Sequence, residues 1–140
     1  MRTKEELLKF AVDRSRNTMI ELLGIEFIDI GEGFIEARMP VDHRTKQPAG
    51  LLHGGASAAL VETLGSVGTA AFTDLSKYKV SGIEVSAHHL KGVKEGWVTA
   101  KGKRIHGGKT MQVWNVDIYT DKNELCTSGR ITVLILPFHS

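Results

Sequence analysis

Residues 54–72, GGASAALVETLGSVGTAAF, carry a single ionisable side chain, Glu62. A helix that is apolar nearly all round is a buried helix. Its glycines lower intrinsic helix propensity and suit a helix against which another backbone packs closely. What flanks this segment decides how it is buried. After a polar link at 73–79 come four stretches rich in β-branched and aromatic residues: 80–90, 97–106, 110–120 and 125–136. Gly92–Gly96, Gly107-Gly108 and Asp121–Asn123 separate them. In the third, Gln112, Trp114, Val116 and Ile118 alternate with Met111, Val113, Asn115, Asp117 and Tyr119, so it has two distinct faces. Before the long helix, strands at 25–30 and 34–40 flank the turn Gly31-Glu32-Gly33. Residues 41–52 have no clean period and hold Pro48 and Gly50, which reads as a loop. Two helical pieces open the chain. Thr3, with Glu6 three residues later, can cap the first, and the second runs from Thr18 to Leu23 and stops at Gly24. Strands grouped around segregated helices indicate an α+β fold. The expected architecture is an antiparallel sheet of about six strands curled around one long helix, forming a single domain over 1–140.

Composition narrows the function classes. A formal net charge of +2 is too balanced to suggest a nucleic-acid protein. No apolar run approaches the roughly 20 residues of a membrane span, and the opening MRTKEELLKF is too charged for a signal peptide. A lone cysteine, Cys126, forms no internal disulfide and reads as a small buried hydrophobe. These features lead us to expect a cytoplasmic protein without a membrane or nucleic-acid partner. Dinucleotide, P-loop, CxxC and HExxH patterns are absent from the sequence. His88 and His89 are adjacent on a strand and point to opposite faces, which is poor metal geometry. Neither a metal nor a cofactor is expected.

The chemistry-bearing residues converge on the long helix. Glu62 has Ala58, Ala59, Gly65 and Ser66 as helical neighbours, so no local cation can pair with it. Burial would raise its pKa; alternatively it lies where the helix meets solvent. Leu52-His53-Gly54-Gly55 sits at the helix start, where free amides and the dipole can hold an oxyanion; it also reads as a plain loop-to-helix turn capped by His53. Gln47 is a neutral donor in the preceding loop, and Ser66 lies one turn after Glu62 on the same face. A carboxylate, imidazole, amide and hydroxyl around one helix start are what acyl transfer needs. Lys91, Lys94, Lys101, Lys103, Arg104 and Lys109 form a basic rim that could meet phosphates or remain a solvated strand face.

Gln47-Pro48-Ala49-Gly50-Leu51-Leu52-His53-Gly54-Gly55, followed by the helix with Glu62, resembles the hotdog-fold acyl-CoA thioesterases, in the branch with a catalytic Glu on the central helix. The resemblance extends over roughly residues 24–136. It implies Glu62 as nucleophile or general base, with Gln47 and the Gly54 amide polarising the thioester carbonyl. His53 would orient the thioester and Ser66 would hold the attacking water. Ser81-Gly82-Ile83-Glu84-Val85 and His88-His89 look like the family's third strand, and Gly55, Ser81, Gly82, His88 and His89 become substrate-contact candidates. Lys91, Gly108 and Lys109 match places where the family meets the CoA nucleotide, although some relatives carry Arg where this chain has Lys. The resemblance further implies a homodimer or homotetramer with shared sites, and an acyl-CoA substrate whose CoA is no separate cofactor. Two other classes remain. Hotdog 3-hydroxyacyl dehydratases pair a His with a helix Glu, but their His precedes Phe-Pro, and here His53 and His43 stand nine and nineteen residues from Glu62. A non-catalytic acyl-CoA-binding protein would have no need of Glu62.

Overall fold

The long central helix, α3 (Gly54–Ala70), lies against a sheet because two of its glycines let side chains of the sheet reach its backbone. In the computed structural model, which describes residues 1–138, a Cβ on Gly65 would stand 2.2 Å from Ile131 Cγ2. One on Gly68 would stand 2.8 Å from the Trp114 ring. The expected close approach is therefore real, but side chains make it rather than another backbone.

Six strands form the sheet: β1 (Glu26–Gly31), β2 (Phe34–Pro40), β3 (Tyr78–His89), β4 (Trp97–Gly107), β5 (Met111–Thr120) and β6 (Leu125–Pro137). Their order is β1-β2-β4-β5-β6-β3, antiparallel throughout. The expected six strands are present, within about two residues of the sequence boundaries. β3 begins inside the stretch read as a polar link, since Tyr78 and Lys79 already pair with Pro137 and Leu136.

The core lies between α3 and the concave face of the sheet. Leu60, Val61 and Leu64 meet Ile35, Trp114, Ile118 and Ile131, all fully buried. Gln112 shares the buried face of β5 because it is partnered there. The Trp114 indole donates to Thr69 Oγ1 at 3.0 Å and to Gln112 Oε1 at 3.2 Å, and the Thr69 hydroxyl donates to the Gly65 carbonyl at 2.8 Å. A buried polar group is tolerated where it is hydrogen-bonded, and this cluster ties the second half of α3 to β5.

The helices α1 (Lys4–Ser15) and α2 (Met19–Leu22) precede the sheet. Thr3 and Glu6 form the expected capping box, and Thr18 caps α2 through the Ile20 amide. α1 packs along β1, which covers one edge of the sheet. The other edge, β3, is bare. It runs 12 residues and exposes Ile83 (56%) and Val85 (37%), with Leu90 (60%) just beyond its end. A long apolar edge strand is a template for another chain.

Candidate active site

The start of α3 is built as a donor site. His53 is its N-cap, and His53 Nδ1 accepts from the Gly55 amide at 2.7 Å. An accepting Nδ1 leaves the proton of a neutral ring on Nε2, free to donate outward. The Gly54 N–H makes no hydrogen bond among the described residues, as expected of an amide in the first turn of a helix. The loop ahead of it is held in place by its own bonds. Thr45 Oγ1, buried, donates to the Pro40 carbonyl at 2.7 Å, and the His53 amide donates to the Thr45 carbonyl at 2.7 Å. Arg44 grips Asp42, and this guanidinium holds the Asp42 carboxyl down to about 2. Gln47 Oε1 accepts from the Ala49 amide, which leaves the Gln47 side-chain NH₂ as the free donor.

Gln47 and Gly54 line one cavity of about 260 Å³, together with Ser57, His89, Cys126 and Thr127. His89 comes from the end of β3 and lies directly on the helix start, since a Cβ on Gly54 would stand 2.7 Å from its Nε2. Its Nδ1 lies 3.3 Å from Thr127 Oγ1. The sequence reading missed Thr127 and Ser57, and nothing local marks them, because they join the site through β6 pairing and α3 packing. Of the histidine pair only His89 reaches this cavity. His88, paired with Ser128, projects from the opposite face of β3, as does Ser81.

Glu62 is not in that cavity. It is exposed in a single chain, so of the two readings of this carboxylate the solvent-facing one holds and the buried one is corrected. Glu62 and Ser66 share a second cavity of about 300 Å³, walled by Ala59, Val67, and Met19 and Leu23 from around α2. Met19 and Leu23 are not legible as site residues from the sequence, because a helix of four residues is too short to show an apolar face. Gly54 and Glu62 stand eight residues apart, about 12 Å along α3 at 1.5 Å per residue. One carbonyl cannot touch the donor end and the carboxylate of the same helix.

The basic candidates are likewise split. Lys91 follows β3 and is ion-paired with Glu124, while Lys109, with Gly108, sits in the β4–β5 turn. β6 links the two ends, pairing Thr127 with Ile118 and Leu134 with Met111. At about 3.4 Å per residue the two lysines lie more than about 20 Å apart in one chain. Gly55 is exposed in the first turn of α3. Cys126 is buried, and burial pushes its thiol pKa up, which leaves it the small hydrophobe expected. Among the described residues no group of three His, Cys, Asp or Glu side chains is placed to hold a metal ion, and no helix is long and apolar enough to cross a membrane.

A six-stranded antiparallel sheet around one long helix defines a hotdog fold. The family model described as "Thioesterase superfamily" matches residues 49–127, and the chain belongs to that superfamily and is a thioester hydrolase. Among individual proteins it is 47% identical over 118 residues to the 1,4-dihydroxy-2-naphthoyl-CoA hydrolase of Escherichia coli, covering 84% of this chain and 86% of that one. It is 44% identical over 122 residues to the proofreading thioesterase EntH of Cronobacter sakazakii, covering 87% and 88%. A thioesterase crystal structure from Pseudomonas aeruginosa, of a mutant, superposes with a TM-score of 0.90 at 40% identity, covering 94% of each chain.

Proposed function

We propose that this protein hydrolyses an acyl-CoA thioester, carrying an aromatic or a short- to medium-chain acyl group, to the free acid and CoA, in a site completed by a second copy of the chain. The observation that carries this reading is the 12 Å gap, about eight helical residues, between a donor end that lacks a carboxylate and a carboxylate that lacks donors. A two-fold axis closes it. Gly54 and Glu62 exchange places across an axis at Ala58. On β3, His89 packs on Gly54 and Gly82 packs on Glu62, so the same axis falls near Val85 and Ser86. An axis there also pairs β3 with its copy as antiparallel strands and removes the bare edge.

In that arrangement the thioester carbonyl oxygen accepts from the Gly54 N–H and the Gln47 amide of one subunit. Glu62 of the partner subunit attacks the carbonyl carbon, or removes a proton from water that does so, with Ser66 of the partner subunit holding the water. The C–S bond breaks, CoA leaves as its thiolate and takes up a proton, and water supplies the oxygen of the released acid. His53, donating through Nε2, orients the thioester. The cavity walled by Met19, Leu23 and Val67 begins beside Glu62 and would take the acyl group; its size supports a ring or a short chain. The same axis brings Lys91 to the start of the partner's β3, where Ile135, the partner of Val80, bonds the Thr110 carbonyl. Lys91 and Lys109 of the partner subunit thus approach one another at a place a CoA nucleotide could reach.

Val85→Arg places like charges face to face at the axis. Light scattering should then report a species of 15.3 kDa, folded by circular dichroism and without turnover; a folded monomer with wild-type turnover would refute the shared site, and a dimer with wild-type turnover would refute the axis at Val85. Lys91→Ala and Lys109→Ala should each raise KM for acyl-CoA a few-fold and leave kcat nearly unchanged, since exposed charge contacts contribute about 1 kcal/mol or less. The matching acyl-pantetheine, which lacks the nucleotide, should not respond to either variant. Equal KM for the two substrates on the wild-type protein would remove the nucleotide contact.

A further inference from the structure

β3 follows β6 residue for residue except at one point. Gly82 pairs with Val133 and Glu84 pairs with Thr132, so Ile83 is an extra residue without a partner. Such a bulge shifts the side-to-side alternation of a strand by one. Before it, Val80 and Gly82 face α3; after it, Val85, Ala87 and His89 do. Their partners on β6, from Ile135 through Val133, Ile131 and Gly129 to Thr127, keep one unbroken alternation. Gly82 and His89 are seven residues apart and would face opposite ways on a regular strand. The bulge puts both on α3, one against Glu62 and the other against Gly54.

At Gly82 the approach leaves no room for a side chain. A Cβ there would stand 2.6 Å from Glu62 Oε1, with Ile131 Cδ1 next at 3.3 Å. The backbone does not require glycine, because Gly82 is not among the residues with positive φ. Strand stability does not favour it either, since glycine weakens a strand interior and often marks a close approach. What alanine would meet first is the tip of the Glu62 side chain. That tip can rotate away at little cost to the fold, but it then leaves its place.

We propose that Gly82 is a positioning residue: its missing side chain is the seat on which the Glu62 carboxylate rests, and the Ile83 bulge turns that seat toward α3. This rests on the reading of Glu62 as the reacting carboxylate. An alanine methyl pushes Oε1 back toward ordinary contact distance, a displacement of roughly 1 Å, and misplacement on that scale can cost about 10²-fold in rate.

The test is a pair of backgrounds. Gly82→Ala in the otherwise native chain should lower kcat at least about tenfold, keep KM within about twofold, and leave Tm unchanged or raised. In a Glu62→Asp background, where the carboxylate is one methylene shorter and clear of the new methyl, the same substitution should lower kcat by no more than about twofold further. A smaller loss in the native background, or an equal fold-loss in both, overturns the seat. Glu62→Ala run alongside separates the two readings. If it retains turnover, the reading of Glu62 fails and the seat fails with it. If it abolishes turnover while Gly82→Ala lowers kcat by less than about tenfold, the seat alone fails.

Discussion

Glu62→Ala is expected to lower kcat by on the order of 10³-fold or more, with a much smaller change in KM. Glu62 is the one ionisable side chain of residues 54–72, and it makes no ion pair or hydrogen bond among the described residues that would give it a structural duty. It also opens onto the cavity beside α2. In the proposed reaction Glu62 forms or activates the bond to carbon, an interaction made only on the way to the transition state, so the loss should fall on kcat. Glu62→Gln should lose similar activity while keeping acyl-CoA binding, because the amide fills the same volume but neither attacks nor takes a proton. Steady-state release of free thiol measures both. Turnover by Glu62→Ala within a few-fold of wild type would reject the assignment.

Gln47→Ala should be the next most damaging change, lowering kcat by about 10²–10³, the loss typical of one oxyanion donor. The Gln47 carbonyl oxygen is already engaged by the Ala49 amide, so its NH₂ is the group left to donate in the cavity that it lines with Gly54. The fold should not suffer, since the loop keeps its Thr45 anchors. A Tm near that of wild type together with the kcat loss is the expected outcome. A kcat within about threefold of wild type would leave Gly54 as the donor without Gln47.

The sequence made most of this fold legible because its signals are local and strong. The alternation at Gln112, Trp114, Val116 and Ile118 corresponds to the buried face of β5. Thr3 and Glu6 announced their capping box, and the Ala- and Gly-rich run announced its helix. The start of β3 was lost because Tyr78 and Lys79 are polar and exposed at an edge, where no core face imposes alternation. The bulge at Ile83 was lost for a related reason: a one-residue phase shift is written in the pairing with β6, not in β3 itself. The candidate residues were visible one by one, but their division between two cavities was not. That division depends on the length of α3 and on which end of β3 meets which end of the helix. The exposure of Glu62 likewise belongs to packing, since a helix apolar nearly all round gave no sign of which flank the sheet would leave open.

Complementation between two inactive variants tests the shared site most directly. Glu62→Ala and Gln47→Ala subunits, refolded together in equal amounts, should give mixed dimers for half of the population. Each mixed dimer holds one site with both defects and one with none, so turnover should recover to about a quarter of wild type. If each site belonged to one chain, every site in the mixture would carry a defect. Turnover would then stay at the mean of the two parent variants, and that result would contradict a site built from two chains.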